Sequence, residues 1–236
     1  MTDLPLSGRT ALVTGASRGI GSATARALGA AGAHVILTAR TAGGLEEVEE
    51  AIHAAGGTAT IAPLDLAEGD SIPRLAAAIG ERWPALDALI LNAAMLGTLS
   101  PVSAFDPKEL SRVLTLNVSA QAALLAAFDG ALRKAFAGRV IGVTSSVGAK
   151  PRAYWGMYGA SKAAFENLLL SYADEVRQLS RVRVAVLDPG ATRTRMRERA
   201  FPGEDPASVK APEVVADRIV ALLGEDFNTG TRVRVE

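Results

Sequence analysis

Thr10-Ala11-Leu12-Val13-Thr14-Gly15-Ala16-Ser17-Arg18-Gly19-Ile20-Gly21 decides the fold. Thr10–Thr14 is a short apolar run that reads as a buried strand. Glycines follow at positions 15, 19 and 21, and Ile20 opens an Ala-rich amphipathic run to Ala31. A strand that turns through glycines into a helix presents unpaired N–H groups and a partial positive charge. A diphosphate can approach such a turn closely, because no Cβ stands in the way. A glycine-rich turn can also be a plain structural corner. Its place between a strand and a helix, at the head of an alternating chain, favours nucleotide binding.

The alternation continues outward. Strands are predicted at Thr10–Thr14, His34–Ala39, Thr58–Leu64, Asp87–Asn92, Arg139–Ser145, Arg181–Leu187 and Arg232–Val235. Helices are predicted near Ile20–Ala31, Leu45–Ala55, Ser71–Arg82, Pro107–Phe136, Tyr158–Leu179 and Pro212–Leu223. The pattern predicts one α/β domain over residues 1–236. It is a doubly wound parallel sheet (a Rossmann fold) of about seven strands with helices on both faces. No repeat, linker or low-complexity segment interrupts it. The one long irregular stretch, 189–211, contains Pro202 and Pro206 and follows a strand. It therefore lies at the carboxyl edge of the sheet, where it is a candidate substrate loop or lid.

Composition agrees. Hydrophobic residues make up 49% of the 236 residues and aromatics only 5%, so Ala, Val, Leu and Ile must build the core. Lys+Arg and Asp+Glu both number 25, and the net charge of +0 gives no whole-chain attraction to nucleic acid or an anionic membrane. The chain has no cysteine, which excludes disulfides, thiolate metal sites and cysteine nucleophiles. His34 and His53 stand apart, and no metal site is expected. Glu46, Glu47, Glu49 and Glu50 read as a solvated helix face. Met1–Gly8 lacks a basic region followed by an apolar run, and Thr10–Thr14 is too short for a signal or membrane segment. A cytoplasmic protein without a membrane or nucleic-acid partner is expected.

The second strand ends at Thr38-Ala39-Arg40. NAD binders commonly carry an acid roughly 20 residues past the glycine turn, for the ribose 2′-hydroxyl, whereas an Arg there accepts a 2′-phosphate. Small Ala39 followed by Arg40, with Ser17 and Arg18 in the turn, points to NADP(H), with NAD(H) as the lesser possibility. The competing reading has Arg40 opening the next helix in solvent. Asp65, ending the third strand, is positioned to bond the adenine amino group.

Tyr158-Gly159-Ala160-Ser161-Lys162 places a phenol and an ammonium on one helix face. A nearby cation favours phenolate, so Lys162 is expected to pull the Tyr158 pKa down from about 10. Ser145 lies upstream as a candidate to hold a carbonyl or alcohol oxygen, which proton transfer to or from a carbon–oxygen bond requires.

Thr-Gly-x-x-x-Gly-x-Gly from Thr14, then Asn92-Ala93-Ala94, Asn117, Ser145, Tyr158-x-x-x-Lys162 and Pro189-Gly190 occur in that order. Together they resemble the short-chain dehydrogenase/reductase family over essentially the whole chain. Asn92–Gly97, Trp155–Lys162 and Pro189–Pro206 further resemble a bacterial subgroup of YciK-like oxidoreductases. The resemblance implies Tyr158 as general acid/base, Ser145 holding the substrate oxygen, and Lys162 on the nicotinamide ribose. It implies that Asn117 places a relay water. Gly15, Gly19, Ile20 and Gly21 would cradle the pyrophosphate, and Asn92, Pro189, Gly190, Thr192 and Thr194 would line the cofactor. Three departures stand out. Ala94 replaces the usual glycine, which would weaken cofactor binding or shift the loop. The sequence ends just after the last strand, without a Val-Asp-Gly-Gly stretch. The segment after Pro189 is compact, implying an open substrate site.

The expected substrate is a small aldehyde, ketone or alcohol, and the resemblance implies a homodimer or homotetramer. A non-catalytic dinucleotide sensor or scaffold is the alternative; the complete set Asn117, Ser145, Tyr158 and Lys162 argues against it. An extended epimerase or dehydratase would need a further substrate domain. Trp155 reads equally as a substrate-pocket wall or as a core or interface aromatic. Arg193, Arg195, Arg197 and Arg199 form either a solvated face or a cationic lid.

Overall fold

The computed structural model describes residues 4–236. The reading of Met1–Gly8 therefore falls, at residues 1–3, outside the described residues. Seven strands form one sheet in the order β3-β2-β1-β4-β5-β6-β7. They are β1 (Thr10–Thr14), β2 (His34–Ala39), β3 (Thr58–Pro63), β4 (Ala88–Leu91), β5 (Arg139–Val143), β6 (Arg183–Asp188) and β7 (Thr231–Arg234). Every neighbouring pair is parallel. The order reverses between β1 and β4, so the loops after these strands diverge and leave a crevice at their carboxyl ends.

The helices are α1 (Gly19–Ala30), α2 (Ala42–Ala54), α3 (Ser71–Arg82), α4 (Pro107–Leu114), α5 (Ala120–Lys134), α6 (Ser146–Ala149), α7 (Gly156–Val176), α8 (Arg195–Ala200) and α9 (Pro212–Gly224). Local chemistry sets several starts. Asp106 accepts from Lys108 N at 3.0 Å and Pro107 follows it, a pairing that fits the first turn of α4. Pro212 also stands in the first turn of α9, where the preceding Ala211 offers no side-chain cap. The predicted single helix Pro107–Phe136 is broken by a π turn at Thr115–Ser119 that carries Asn117. The run Pro107–Lys134 is long and apolar enough to cross a membrane by length and composition. In this fold it buries Leu124, Phe128 and Leu132 against the sheet.

Strand residues alternate between two cores, as the two-residue period of a strand requires. Ala11, Val13, Val35, Leu37, Ile141 and Leu187 face one cluster with Leu28, Ile52 and Ile219 from α1, α2 and α9. Leu12, Ile36, Leu89, Val140 and Val186 face the other, with Leu75, Phe128, Phe165 and Leu169 from α3, α5 and α7. Each such aliphatic or aromatic side chain contributes about 1.5–3 kcal/mol on full burial.

One glycine sets how close α7 comes to the sheet. A Cβ on Gly142 of β5 would run into Leu169 Cδ1 and lie 3.0 Å from Phe165 Cζ. Without it α7 lies directly on the end of β5. Gly142→Ala should cost about 1–3 kcal/mol through overpacking. Gly130, within α5 and open around its missing Cβ, provides the contrast. Gly130→Ala should stabilise by about 1 kcal/mol. Thermal melts of the two variants check both signs.

Candidate active site

The close approach of α7 brings Lys162 to the carboxyl edge. Lys162 is 3% exposed, and its Nζ donates to the Val143 carbonyl oxygen at 2.8 Å. That is its one hydrogen bond, and no carboxylate pairs with it among the described residues. Burial alone drives its pKa down from 10.5 to about 7. Tyr158, one turn earlier and 7% exposed, has its pKa raised, first by burial and then by the Asp188 carboxylate at the end of β6. This corrects the expectation that Lys162 lowers it. The Lys162 Nζ lies 5.7 Å from the Tyr158 ring centroid, and desolvation outweighs attraction between two groups that each resist charging.

Ser145 leaves β5 and starts α6, which rides on α7. A Cβ on Gly148 would lie 3.1 Å from Ala163 N and 3.2 Å from Lys162 Cβ, and one on Gly159 would lie 2.9 Å from the Val147 carbonyl oxygen. Two glycines thus seat the Ser145 loop on the turn that bears Tyr158 and Lys162. Neither the Ser145 nor the Tyr158 hydroxyl has a protein hydrogen-bond partner among the described residues. Two partnerless hydroxyls beside a buried amine are suited to holding and protonating one oxygen atom of a ligand.

The Asn117 side chain is engaged at both of its polar atoms. Its Oδ1 accepts from Met95 N at 2.9 Å, and its Nδ2 donates to Met95 O and Ser161 Oγ, both at 2.9 Å. Ser161 in turn donates to the Tyr158 carbonyl oxygen at 2.7 Å. The Asn117 side chain therefore ties the loop after β4 to α7. Ser161 is a supporting residue missed in the sequence, although it lies inside the Tyr158–Lys162 spacing.

The glycine turn forms as read. Gly15 and Gly19 adopt φ of 65° and 57°, which only glycine takes readily. A Cβ on Gly21 would collide with the Gly15 carbonyl and lie 2.6 Å from Asn92 Nδ2. The first amides of α1, at Gly19, Ile20 and Gly21, find no protein acceptor among the described residues, and Ser22 N reaches Arg18 O at 3.3 Å. The donor set and the glycine cradle fit a dinucleotide diphosphate. Asn92 braces the turn, donating to Thr14 O at 2.9 Å and Gly15 O at 3.3 Å. Thr14 Oγ1, accepting from Asn92 N and Ala93 N, completes the brace, a role the motif alone did not reveal. Ala94 does not have a positive φ, so its methyl adds no backbone strain.

The adenosine end is less converged. Arg18 lines a cleft of about 490 Å³ with Ser17, Thr41 and Gly44. Arg40 is exposed immediately before Thr41, outside that lining. Asp65 Oδ1 accepts from Ala67 N at 2.9 Å.

At the nicotinamide end, Gly190 has φ of 63° and donates from N to Asp188 Oδ1 at 3.0 Å. Thr192 Oγ1 donates to Pro189 O at 3.0 Å, which uses its proton. Thr194 Oγ1 caps α8 by accepting from Arg197 N at 3.1 Å, which leaves its own proton free. The 189–211 segment is not irregular throughout, since α8 lies within it. Trp155, half-buried, lies edge-on to Tyr158 with ring centroids 6.2 Å apart, and 5.5 Å from Phe201 just after α8. It stands between the phenol and this segment rather than in the core.

These features are those of a family. A short chain dehydrogenase family model matches residues 9–205, and the chain belongs to that family. It is 38% identical over 229 residues to the uncharacterized oxidoreductase YciK of Escherichia coli (strain K12), covering 96% of this chain and 90% of YciK. It is similar to a solved short chain dehydrogenase from Shigella flexneri 2a str. 301 complexed with NADP. That match has a TM-score of 0.94 and 38% identity, covering 100% of this chain and 99% of the other. A short chain dehydrogenase from Escherichia coli CFT073 complexed with NADPH matches with the same score, identity and coverage.

A base whose pKa is lowered on folding, from 10.5 to about 7 for Lys162, destabilises the fold below the unfolded value. The penalty grows as pH falls through that window and is complete below its lower end. Lys162→Met should therefore raise the melting temperature of the ligand-free protein by a few degrees at about pH 6 and by less at about pH 10. Melts at both pH values check this, and a shift equal at both would contradict the buried-ammonium account.

Proposed function

We propose that the chain is an NADP(H)-dependent oxidoreductase acting between a carbonyl and an alcohol carbon of a small molecule. The observation that carries this is the pair of partnerless hydroxyls, Ser145 and Tyr158, beside buried Lys162. A nicotinamide dinucleotide, when bound, supplies the hydride to the carbon or takes it up. Tyr158 donates a proton to the substrate oxygen as negative charge develops there. The raised phenol pKa keeps it in the acid form, which donation of a proton to a developing alkoxide requires. Ser145 donates a hydrogen bond to the same oxygen, an oxyanion-type contribution of about 3–4 kcal/mol. Lys162 reaches the ribose hydroxyls from the end of β5, and Asn117 keeps its helix in place.

Gly15, Gly19, Ile20 and Gly21 present the diphosphate cradle. Arg18 and Arg40 take the 2′-phosphate, with Ser17 adding a hydroxyl. Asp65 accepts from the adenine amino group through the oxygen not engaged by Ala67. Pro189, Gly190 and Thr194 line the nicotinamide, and 189–211 acts as the lid. The NADP and NADPH complexes of the two similar structures support the cofactor assignment. A non-catalytic dinucleotide sensor would have no use for two hydroxyls held free beside a desolvated amine.

Tyr158→Phe should leave NADPH binding nearly unchanged and lower turnover of an aldehyde or ketone about 100-fold or more. Nicotinamide fluorescence reads the binding and NADPH consumption reads the turnover. Full turnover in the phenylalanine variant would contradict the assignment.

A further inference from the structure

We propose that Arg195, carried by the lid, is a phosphate ligand of the dinucleotide, so that lid docking and cofactor binding are one event. The proposal rests on the NADP(H) reading above. Four elements meet in the 490 Å³ cleft: Ser17, Arg18 and Gly19 from the turn, Ser22 and Arg26 from α1, Gly44, Glu47 and Val48 from α2, and Arg195 from α8. Three exposed arginines thus line one cleft with a single carboxylate residue, Glu47. None of these four charges has an ion-pair partner among the described residues. Arg26 donates to Ser22 Oγ at 2.7 Å, while the Arg18 and Arg195 side chains make no hydrogen bond among the described residues. With three arginines and one carboxylate the cleft keeps an excess of positive charge, and a phosphate would supply the missing anion and take charge-assisted, bidentate bonds.

The other lid arginines mark Arg195 out. Arg197 pairs with Glu204 at 2.7 and 2.5 Å and lies 3.6 Å from the Phe201 ring centroid. Arg193 and Arg199 do not line the cleft. A general cationic face therefore does not describe the segment.

The lid is held where Arg195 can act. Thr192 and Lys210 form a parallel bridge that closes its two ends, and Arg193 N donates to Lys210 O at 2.8 Å. Lys210 Nζ donates to Pro189 O at 3.0 Å and to Val235 O at 2.7 Å, anchoring that closure to the sheet. Beyond the bridge, Thr194 Cγ2 lies 3.3 Å from where a Cβ of Gly19 would be, so the lid starts against the glycine turn. Arg195 is the next residue. At the far end of α8, Phe201 packs on Trp155, which in turn borders Tyr158. A phosphate that engages Arg195 therefore acts on the same short helix that walls the reacting end.

Wild type, Arg195→Ala, Arg195→Lys and the control Arg199→Ala are titrated with NADPH and NADH by nicotinamide fluorescence. Tryptic cleavage at the lid arginines is then followed at equal fractional saturation with NADP⁺. Arg195→Ala should weaken NADPH binding about tenfold or more, with partial recovery in the lysine variant and no change in Arg199→Ala. A loss confined to NADPH assigns the 2′-phosphate, and an equal loss with NADH assigns the diphosphate; either supports the proposal. NADP⁺ should slow lid cleavage in wild type and do so less in Arg195→Ala. Unchanged affinity in Arg195→Ala, or equal protection in both proteins, overturns it. If wild type binds neither dinucleotide, it is the NADP(H) reading itself that fails.

Discussion

A buried amine with one hydrogen bond organises this protein. Lys162 donates to the carbonyl of Val143 at the last residue of β5, and among the described residues no carboxylate pairs with it. Such a group is expensive to keep, and it is kept where strand, helix and crevice meet. For Lys162 to reach that carbonyl, α7 must lie flat on β5. Gly142 permits this by having no side chain. The same seating places Tyr158 one turn earlier and presses the Ser145 loop onto α7 through Gly148 and Gly159. One packing decision thus positions all three chemical groups.

Polar braces then hold the neighbouring loops in register. Asn117 and Ser161 join the loop after β4 to the carbonyl of Tyr158. Asn92 and Thr14 join the same loop to the glycine turn. The turn and the helix that bears the phenol are therefore tied to one loop, which keeps the glycine turn and Tyr158 at a constant separation. These braces are buried or half-buried, where a satisfied hydrogen bond rigidifies and an unsatisfied one is costly.

Most of the architecture was legible in the sequence because the strands are short β-branched runs and the crossover helices are long and periodic. All seven strands and six long helices were readable, with ends differing by a few residues. What was not legible has physical reasons. The π turn at Thr115–Ser119 leaves the apolar periodicity of Pro107–Phe136 almost intact, so the pattern reads as one helix. α8 is too short to show a period. Motif order named candidate site residues but could not say how each side chain is used. Asn92 and Asn117 turn their amides to backbone partners, and Arg40 stands outside the cleft that Arg18 lines. Spacing also failed for Tyr158. It put a cation near the phenol but carried no information on burial, and burial decides the sign of the shift.

The most direct test of this account is the titration of Lys162 itself, followed by NMR of ¹⁵N-labelled lysine side chains in the ligand-free protein. Lys162→Met supplies the assignment by the signal it removes. The account predicts an ammonium that loses its proton at about 7. A Lys162 that titrates near the ordinary lysine value of about 10.4 would mean that its charge is solvated or paired. The buried, uncompensated amine at the centre of the site would then not exist.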